Sequence, residues 1–169
     1  MLCYQEPKDL PENFKGVSVG RQPPNKDWTT ALIPYFEALE DEYFVLTLED
    51  QYLVQPVDVG RIKAFTRIMD RHPEVGKVDL TQDRTRFPHK RKGRIVISDQ
   101  QARYRSSLQT ALWRKDYFMK FLNPGWTCWD FEIEGMKLAY NDGVQILGTT
   151  DGITHFREMS VKGRLVDGR

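Results

Sequence analysis

The sequence has few cysteines, almost no net charge and no long apolar run, and each absence excludes a class of protein. Its only cysteines are Cys3 and Cys128, too few for a disulfide framework, so reduced thiols are expected. The formal net charge of +1 argues against a dedicated DNA-binding module, although a local basic patch stays possible. No apolar run approaches the ~20 residues that span a bilayer, and the first residues do not resemble a signal peptide. We therefore expect a cytoplasmic protein without a transmembrane segment.

What is present fits one globular domain over residues 1–169. The chain is 40% hydrophobic and 29% charged, which is ordinary for a folded domain, and its length suffices for one core. Strands are predicted at residues 2–4, 16–20, 43–48, 77–81, 94–98 and 144–147. Helices are predicted after Asp27 and after Asp58, each as an N-cap, and at residues 107–122. Pro34 lies inside the first helix and should kink or shorten it. The alternation of strands and helices indicates an α/β fold.

The most informative stretch is residues 43–52, where an apolar run is followed directly by Glu49 and Asp50. Such a run predicts a buried strand, and acids after its last residue would lie where open α/β sheets bind ligands. Hard divalent cations prefer carboxylate oxygens, so this pair could hold Mg²⁺ or Mn²⁺ against a diphosphate. The alternative is that both acids are solvated residues that close a strand.

Two further groups contain residue types that carry chemistry. In residues 126–132 aromatic side chains capable of stacking on sugar rings accompany Asp130 and Glu132, either of which could act as a general base. The alternative is that these aromatic residues belong to the core. On the predicted helix, Gln109 and Trp113 share a face while Arg114 points elsewhere and could meet a phosphate, or be a solvated surface residue.

The remaining candidates are basic. Residues 82–94 are predicted to form a loop rich in arginine and lysine, which could bind a phosphate-bearing donor or an anionic acceptor, or could simply be solvated. His89 lies in this loop without a second ligand at zinc spacing. His155 matters only if the fold brings it near Glu49 and Asp50.

These blocks, in this order, resemble the small bacterial and phage glycosyltransferases related to the family 2 enzymes with the GT-A fold. The blocks cover residues 28–52 (a Trp-led helix running into EYFVLTLEDQY), 54–58 (VQPVD), 107–114 (SLQTALWR), 129–135 (WDFEIEG), and His155 with residues 162–164 (KGR). Together they extend over about residues 15–165. The resemblance implies a GT-A-like open mixed sheet flanked by helices.

The resemblance also implies a function and a site. The expected activity is transfer of a sugar, with inversion, from a nucleotide sugar (most simply a UDP-sugar) to a hydroxyl of a carbohydrate or other acceptor. Glu49 and Asp50 would occupy the place of the metal-binding Asp-x-Asp motif, with His155 as a further ligand of Mn²⁺ or Mg²⁺. Glu132 would be the catalytic base, with Asp130 as the alternate. Gln109, Trp113 and Arg114 would contact the donor.

Two departures from the family pattern bear on activity. The chain is expected to begin one strand later than the family, so that the first βα unit is missing, and Gln51 replaces an aromatic or acidic residue. The second hypothesis is therefore a non-catalytic accessory or binding protein that keeps a GT-A-like core. An exposed sheet edge could then support oligomerisation. Nucleic acid is a possible acceptor that the net charge does not favour.

Overall fold

The computed structural model describes residues 2–3, 10, 12–20, 27–48, 50–158, 160–161 and 164–165. Its helices are α1 (Thr29–Ala38), α2 (Val59–Arg71), α3 (Lys115–Met119) and α4 (Cys128–Leu138). Its strands are β1 (Leu2–Cys3), β2 (Val17–Ser18), β3 (Tyr43–Leu46), β4 (Gln51–Leu53), β5 (Val75–Asp79), β6 (His89–Lys92), β7 (Ile95–Ser98), β8 (Ala111–Arg114), β9 (Gln145–Thr149), β10 (Phe156–Glu158), β11 (Ser160–Val161) and β12 (Arg164–Leu165). A 3₁₀ helix covers Asp83–Arg86.

The main sheet has six strands in the order β3-β8-β5-β9-β7-β6. The pair β5–β9 is parallel and the other neighbours are antiparallel, so the sheet is mixed. Among the described residues, three small sheets pair β1 with β2, β4 with β10, and β11 with β12. The prediction of an α/β fold with an open mixed sheet flanked by helices is confirmed at this level of description. None of the helices in the described ranges is long and apolar enough to cross a membrane.

The sheet separates two apolar layers. One face packs against α1, α3 and α4 through an aromatic cluster; its largest members are Phe36, Trp113, Phe118, Phe121 and Phe131. The other face packs against α2, which contributes Phe65 and Met69. Burying one such side chain is worth about 1.5–3 kcal/mol relative to exposure, so these layers supply most of the driving force for folding.

Local sequence signals explain the first two helices. Asp58 is the N-cap of α2 as predicted, and its side chain accepts the backbone N–H of Arg61 at 3.0 Å. The N-cap of α1 is Trp28, one residue after the predicted Asp27, but the Asp27 side chain still accepts the backbone N–H of Thr30 at 3.0 Å, one of the N–H groups that the first turn of a helix leaves without a partner. Pro34 lies inside α1, which has only ten residues. The second helix ends at Arg71, just before His72 and Pro73 as predicted.

The predicted helix at residues 107–122 is wrong. Residues 111–114 form the strand β8, inserted between β3 and β5, and only Lys115–Met119 is helical. The apolar run is buried on both faces, because Leu112 enters the α2 layer while Ala111 and Trp113 enter the aromatic layer. A short apolar run of this kind fits a central strand as well as a helix, and tertiary pairing decides between them.

The basic residues 82–94, predicted to be a loop, are also more regular than expected. Their first part is the 3₁₀ helix, and His89–Lys92 form β6, the edge strand that pairs with β7. The two strands are joined by Gly93 and Arg94, and Gly93 has φ +60°, a conformation suited to glycine in a tight hairpin turn.

Candidate functional site

A polar cluster lies where β3 ends and β8 begins. The two strands are antiparallel with Leu46 opposite Ala111, so Thr47 and Thr110 lie side by side with their hydroxyl oxygens 3.0 Å apart. Both hydroxyls donate to Oε1 of Gln51, and Nε2 of Gln51 donates to Oε1 of Gln109 at 2.9 Å. Gln51, at the position where the family pattern has an aromatic or acidic residue, is therefore buried and joins the two strand ends.

Asp50 is half-buried and lies beside this cluster, one residue before Gln51. Its position after β3 agrees with the expected location at the sheet's end. Glu49 lies outside the described residues. Around Asp50, the amide and hydroxyl oxygens of the cluster are already engaged with one another. Asp50 is thus one carboxylate of the described residues that could meet a ligand there.

Glu132, on α4, contacts the segment that leads into β8. Its Oε1 accepts the backbone N–H of Leu108 at 2.7 Å, and its backbone carbonyl accepts the hydroxyl of Ser106 at 3.0 Å. Leu108 precedes Gln109, which is bonded to Gln51. A continuous series of bonded or adjacent residues therefore links Glu132 to Asp50, although the two are far apart in sequence.

The Asp130 side chain is used to cap the first turn of α4. It forms a capping box with Thr127 at the start of α4, in which each side chain accepts the other residue's backbone N–H. Hydrogen bonds from the Thr127 backbone N–H, and then from its hydroxyl, hold the pKa of Asp130 below its ordinary value. A carboxylate with a lowered pKa is a weaker base, so this environment disfavours Asp130 for proton abstraction.

The three residues predicted to contact the donor are separated by the strand β8. Only Gln109 lies at the same end as Asp50. Trp113 is fully buried in the aromatic layer, which leaves its ring no surface for a ligand. The shared helical face predicted for Gln109 and Trp113 does not exist, because this segment is extended.

Arg114 lies at the opposite end of the sheet. It is paired with Tyr43 in the β3–β8 ladder, and its guanidinium donates to the carbonyls of Met69 (2.8 Å) and Val75 (3.3 Å) and to the Glu42 carboxylate. These contacts tie α2, β5 and β3 together and occupy the side chain.

His155 is also separated from Asp50. The backbone N–H of Val54 donates to the His155 carbonyl at 2.9 Å, at the far end of the β4–β10 ladder. Since Asp50 precedes Val54 by four residues, the two positions differ by about 13 Å along the strand. Within the described residues, no three His, Cys, Asp or Glu side chains are grouped so that they could hold a metal ion.

Sequence reasoning missed the buried charges behind the site. Lys77 and Asp79 project from the same face of β5 and form an ion pair at 2.9 Å, and Nε of Arg84 donates to the other Asp79 oxygen at 2.6 Å. All three are buried. Burial by itself raises the pKa of Asp79, but the charges of Arg84 and Lys77 outweigh it and hold that pKa below its ordinary value. The Lys-Val-Asp alternation in a predicted strand was the available signal for two of them.

These cations hold the backbone that leads into the site. Lys77 donates to the carbonyl of Ser107 at 2.7 Å, and Arg84 donates to those of Arg103 (3.2 Å) and Tyr104 (2.7 Å). Arg105, itself fully buried, donates to the carbonyls of Ala139, Asp99 and Val144. The segment before Leu108 and Gln109 is thus fixed from inside by buried donors, which positions both site residues.

A groove of about 420 Å³ lies elsewhere, between α2 and β7. Its apolar floor includes Phe65 and Ile68, and its cations Arg61 and Arg94 both bind Asp151. The hydrogen bond from Arg61, together with its charge, holds the pKa of Asp151 below its ordinary value. This groove is on the other face of the sheet from α4 and contains none of the residues predicted from the sequence.

No family model, curated protein or solved structure matches this chain. The fold and the site by themselves define a mixed α/β protein. At one end of its central sheet lie the carboxylate residue Asp50 and a hydrogen-bonded cluster of Thr47, Gln51, Gln109 and Thr110.

Proposed function

We propose that the chain is a glycosyltransferase with a GT-A-like fold that moves a sugar, with inversion, from a nucleotide sugar to an acceptor hydroxyl. The observation that carries the proposal is the link between Asp50 and Glu132 through Gln51, Gln109 and Leu108. Asp50 would then offer a metal–diphosphate a carboxylate at the end of the sheet where α/β sheets bind ligands, and Glu132, linked to it through the segment before β8, would supply the base.

Asp50, with Glu49 before it, would hold Mn²⁺ or Mg²⁺. These cations are commonly bound by one or two carboxylates together with substrate phosphates and water, so a site with one described carboxylate fits a metal that arrives with a nucleotide diphosphate. The metal would neutralise charge on the leaving diphosphate. A UDP-sugar is the donor we expect.

Glu132 would act as the base. Its Oε1 is held by the Leu108 N–H, while Oε2 accepts no hydrogen bond from any described residue, which leaves it for an acceptor hydroxyl. Glu132 takes the hydroxyl proton, the acceptor oxygen forms a bond to the anomeric carbon, and the bond from that carbon to the diphosphate oxygen breaks. The nucleoside diphosphate leaves with the electron pair.

The test uses a panel of nucleotide sugars with and without Mn²⁺, measured by thermal stabilisation and donor hydrolysis. We expect Asp50→Ala to lose metal-dependent donor binding, while Asp41→Ala, an exposed acid before β3, retains it. We expect Glu132→Gln to keep donor binding but to lose ~10²–10⁴-fold in turnover, with Glu134→Gln as its control on the same helix. No response of the parent protein to any donor contradicts the proposal, and full turnover by Glu132→Gln contradicts the role of the base.

The second candidate is a non-catalytic accessory protein with the same core. The observation in its favour is that Trp113 is enclosed and Arg114 is occupied, so neither offers a contact to a donor. Light scattering after size exclusion distinguishes the candidates, because an accessory protein is expected to elute with a partner or as an oligomer. A monomer that hydrolyses a donor contradicts this second candidate.

A further inference from the structure

The exposed edge of the sheet at β6 has an unusual concentration of positive charge. All four of its residues, His89, Lys90, Arg91 and Lys92, are exposed, and Arg94 follows in the turn at 80% side-chain exposure. In the part of the chain that the structure describes, no carboxylate lies within ion-pair distance of Lys90, Arg91 or Lys92. Although the net charge of the molecule is only +1, this edge is therefore locally cationic.

The two faces of this edge differ in kind. In the β6–β7 ladder His89 lies opposite Ser98 and Arg91 opposite Val96. The alternate residues of β7, Ile95 and Ile97, pack in the α2 layer, so His89 and Arg91 project on the opposite face, the one that carries the aromatic layer. Lys90 and Lys92 project on the other face. Planar side chains therefore share one face and flexible ammonium groups the other.

An aromatic pair extends the planar face. Phe87 precedes His89 by two residues in extended backbone, and its ring lies 5.7 Å from that of Tyr104. Tyr104 is 43% exposed. The series Tyr104, Phe87, His89, Arg91 thus presents four planar groups, the last three at successive two-residue steps of about 6.7 Å.

Tyr104 is held in this place at a conformational cost. Its φ of +56° is uncommon for a bulky residue, and its backbone is fixed by the buried Arg84, which donates to its carbonyl, and by Met136, whose sulfur accepts its N–H at 3.1 Å. An observed backbone outlier with an exposed aromatic side chain points to a role for that side chain.

We propose that this edge, Phe87–Lys92 with Arg94 and Tyr104, binds single-stranded nucleic acid. Aromatic rings and guanidinium planes stack on bases, and Lys90, Lys92 and Arg94 neutralise phosphates on the other side of the strand. The step of about 6.7 Å is roughly twice the rise between stacked bases, so a partly extended strand can place a base on each planar group. A duplex, whose bases are already stacked, cannot stack on these groups, and an acidic peptide carries no bases to stack on them. The proposal is independent of the proposed transferase activity.

The experiment measures fluorescence anisotropy of labelled oligo(dT) and oligo(rU) of about 20 nucleotides, longer than usual single-strand sites. A duplex of the same length and heparin are the comparison polyanions. We expect the parent protein to bind the single strands more tightly than the duplex. With three phosphate contacts, from Lys90, Lys92 and Arg94, the logarithm of the association constant should fall with the logarithm of salt concentration at a slope of about −2. Preference for dT or rU then distinguishes DNA from RNA.

Two variants test the residues. The triple variant Lys90→Gln, Arg91→Gln, Lys92→Gln should lose at least ~10-fold in single-strand affinity at low salt. The matched control, Lys63→Gln, Arg67→Gln, Arg71→Gln on the exposed side of α2, removes the same charge and should change it by less than ~3-fold. Tyr104→Gly removes a ring where glycine suits the backbone, and should weaken single-strand binding ~5-fold or more without affecting the duplex.

The proposal is overturned if the parent protein binds no single strand, or if both triple variants lose affinity equally. A second pair of results also overturns it: the duplex and heparin bind with the same affinity as the single strands, and Tyr104→Gly changes none of these affinities. Circular dichroism of each variant establishes that it is folded before binding is measured.

Discussion

Replacement of Asp79 by asparagine should destabilise the protein strongly. The change keeps the side chain's shape but leaves two buried cations, Lys77 and Arg84, without the carboxylate that both contact. Removing one partner of a buried ion pair costs about 3–5 kcal/mol, because the remaining charge stays desolvated. With a total stability of about 5–15 kcal/mol for a domain, this is a large fraction of the whole.

Urea unfolding, followed by tryptophan fluorescence and far-UV circular dichroism, measures the effect. For a slope of about 2 kcal/mol per molar urea, a loss of about 4 kcal/mol lowers the unfolding midpoint by about 2 M. The control is Asp83→Asn, the same chemical change in a half-exposed acid that pairs with the exposed Arg86, which should cost about 0–1 kcal/mol. Equal midpoints for the two variants would refute the claim that Asp79 compensates buried charge.

The free energy of unfolding of Asp79→Asn should also depend on pH differently from that of the parent protein. Burial opposes ionisation of Asp79, yet Arg84 and Lys77 hold its pKa in the folded state below the unfolded value of about 3.9. As the pH falls, the unfolded chain therefore binds this proton first. The carboxylate's contribution is fully present above about pH 4 and is lost as pH falls through the folded pKa. The stability difference between parent and Asp79→Asn should therefore shrink below about pH 4, and a constant difference would contradict the pKa direction.

Two further predictions concern packing and capping. Gly76→Ala should lower the free energy of unfolding by at least about 1–3 kcal/mol, because a Cβ there would lie 2.6 Å from the Tyr117 ring and from Val144; an unchanged thermal midpoint would show that the site has room. Thr127→Ala should cost about 1 kcal/mol by removing the N-cap of α4. The same change should raise the pKa of Asp130, because the carboxylate loses the hydrogen bond from the Thr127 hydroxyl. NMR titration of the Asp130 carboxyl carbon measures this pKa. An unchanged pKa would show that the hydroxyl does not lower it.

Much of the sheet could be predicted because its strands and helices carry local signals. The second helix has an apolar stripe and Asp58 at its start, and the strands β5, β7 and β9 fall within or beside the predicted runs. The segment 107–122 failed because its apolar spacing suits a helix, whereas β8 owes its extended form to neighbours that are distant in sequence. Periodicity alone cannot report such neighbours.

The candidate site could be predicted only in part for a similar reason. Asp50 and Glu132 could be chosen by residue type and position, but the bonds through Gln51 and Gln109 that relate them depend on how β3 and β8 pair. A capping box, Thr127 followed by Asp130, was visible in the sequence and could have predicted α4. No sequence signal indicated that Arg84 and Arg105 would be buried.

The pairing of strands in the main sheet also determines when each strand can find its partners during translation. The pairs β3–β8 and β5–β9 join residues that are roughly 70 positions apart, whereas β6 and β7 are joined by a two-residue turn. At about 5–20 residues per second, β5 waits on the order of 4–14 s on the ribosome for its partners to be synthesised. During that interval Lys77 and Asp79 are solvated charges in an otherwise apolar strand, and such charges disfavour aggregation. We therefore expect Lys77 and Asp79 to limit aggregation of the nascent chain before they pair in the interior of the finished protein.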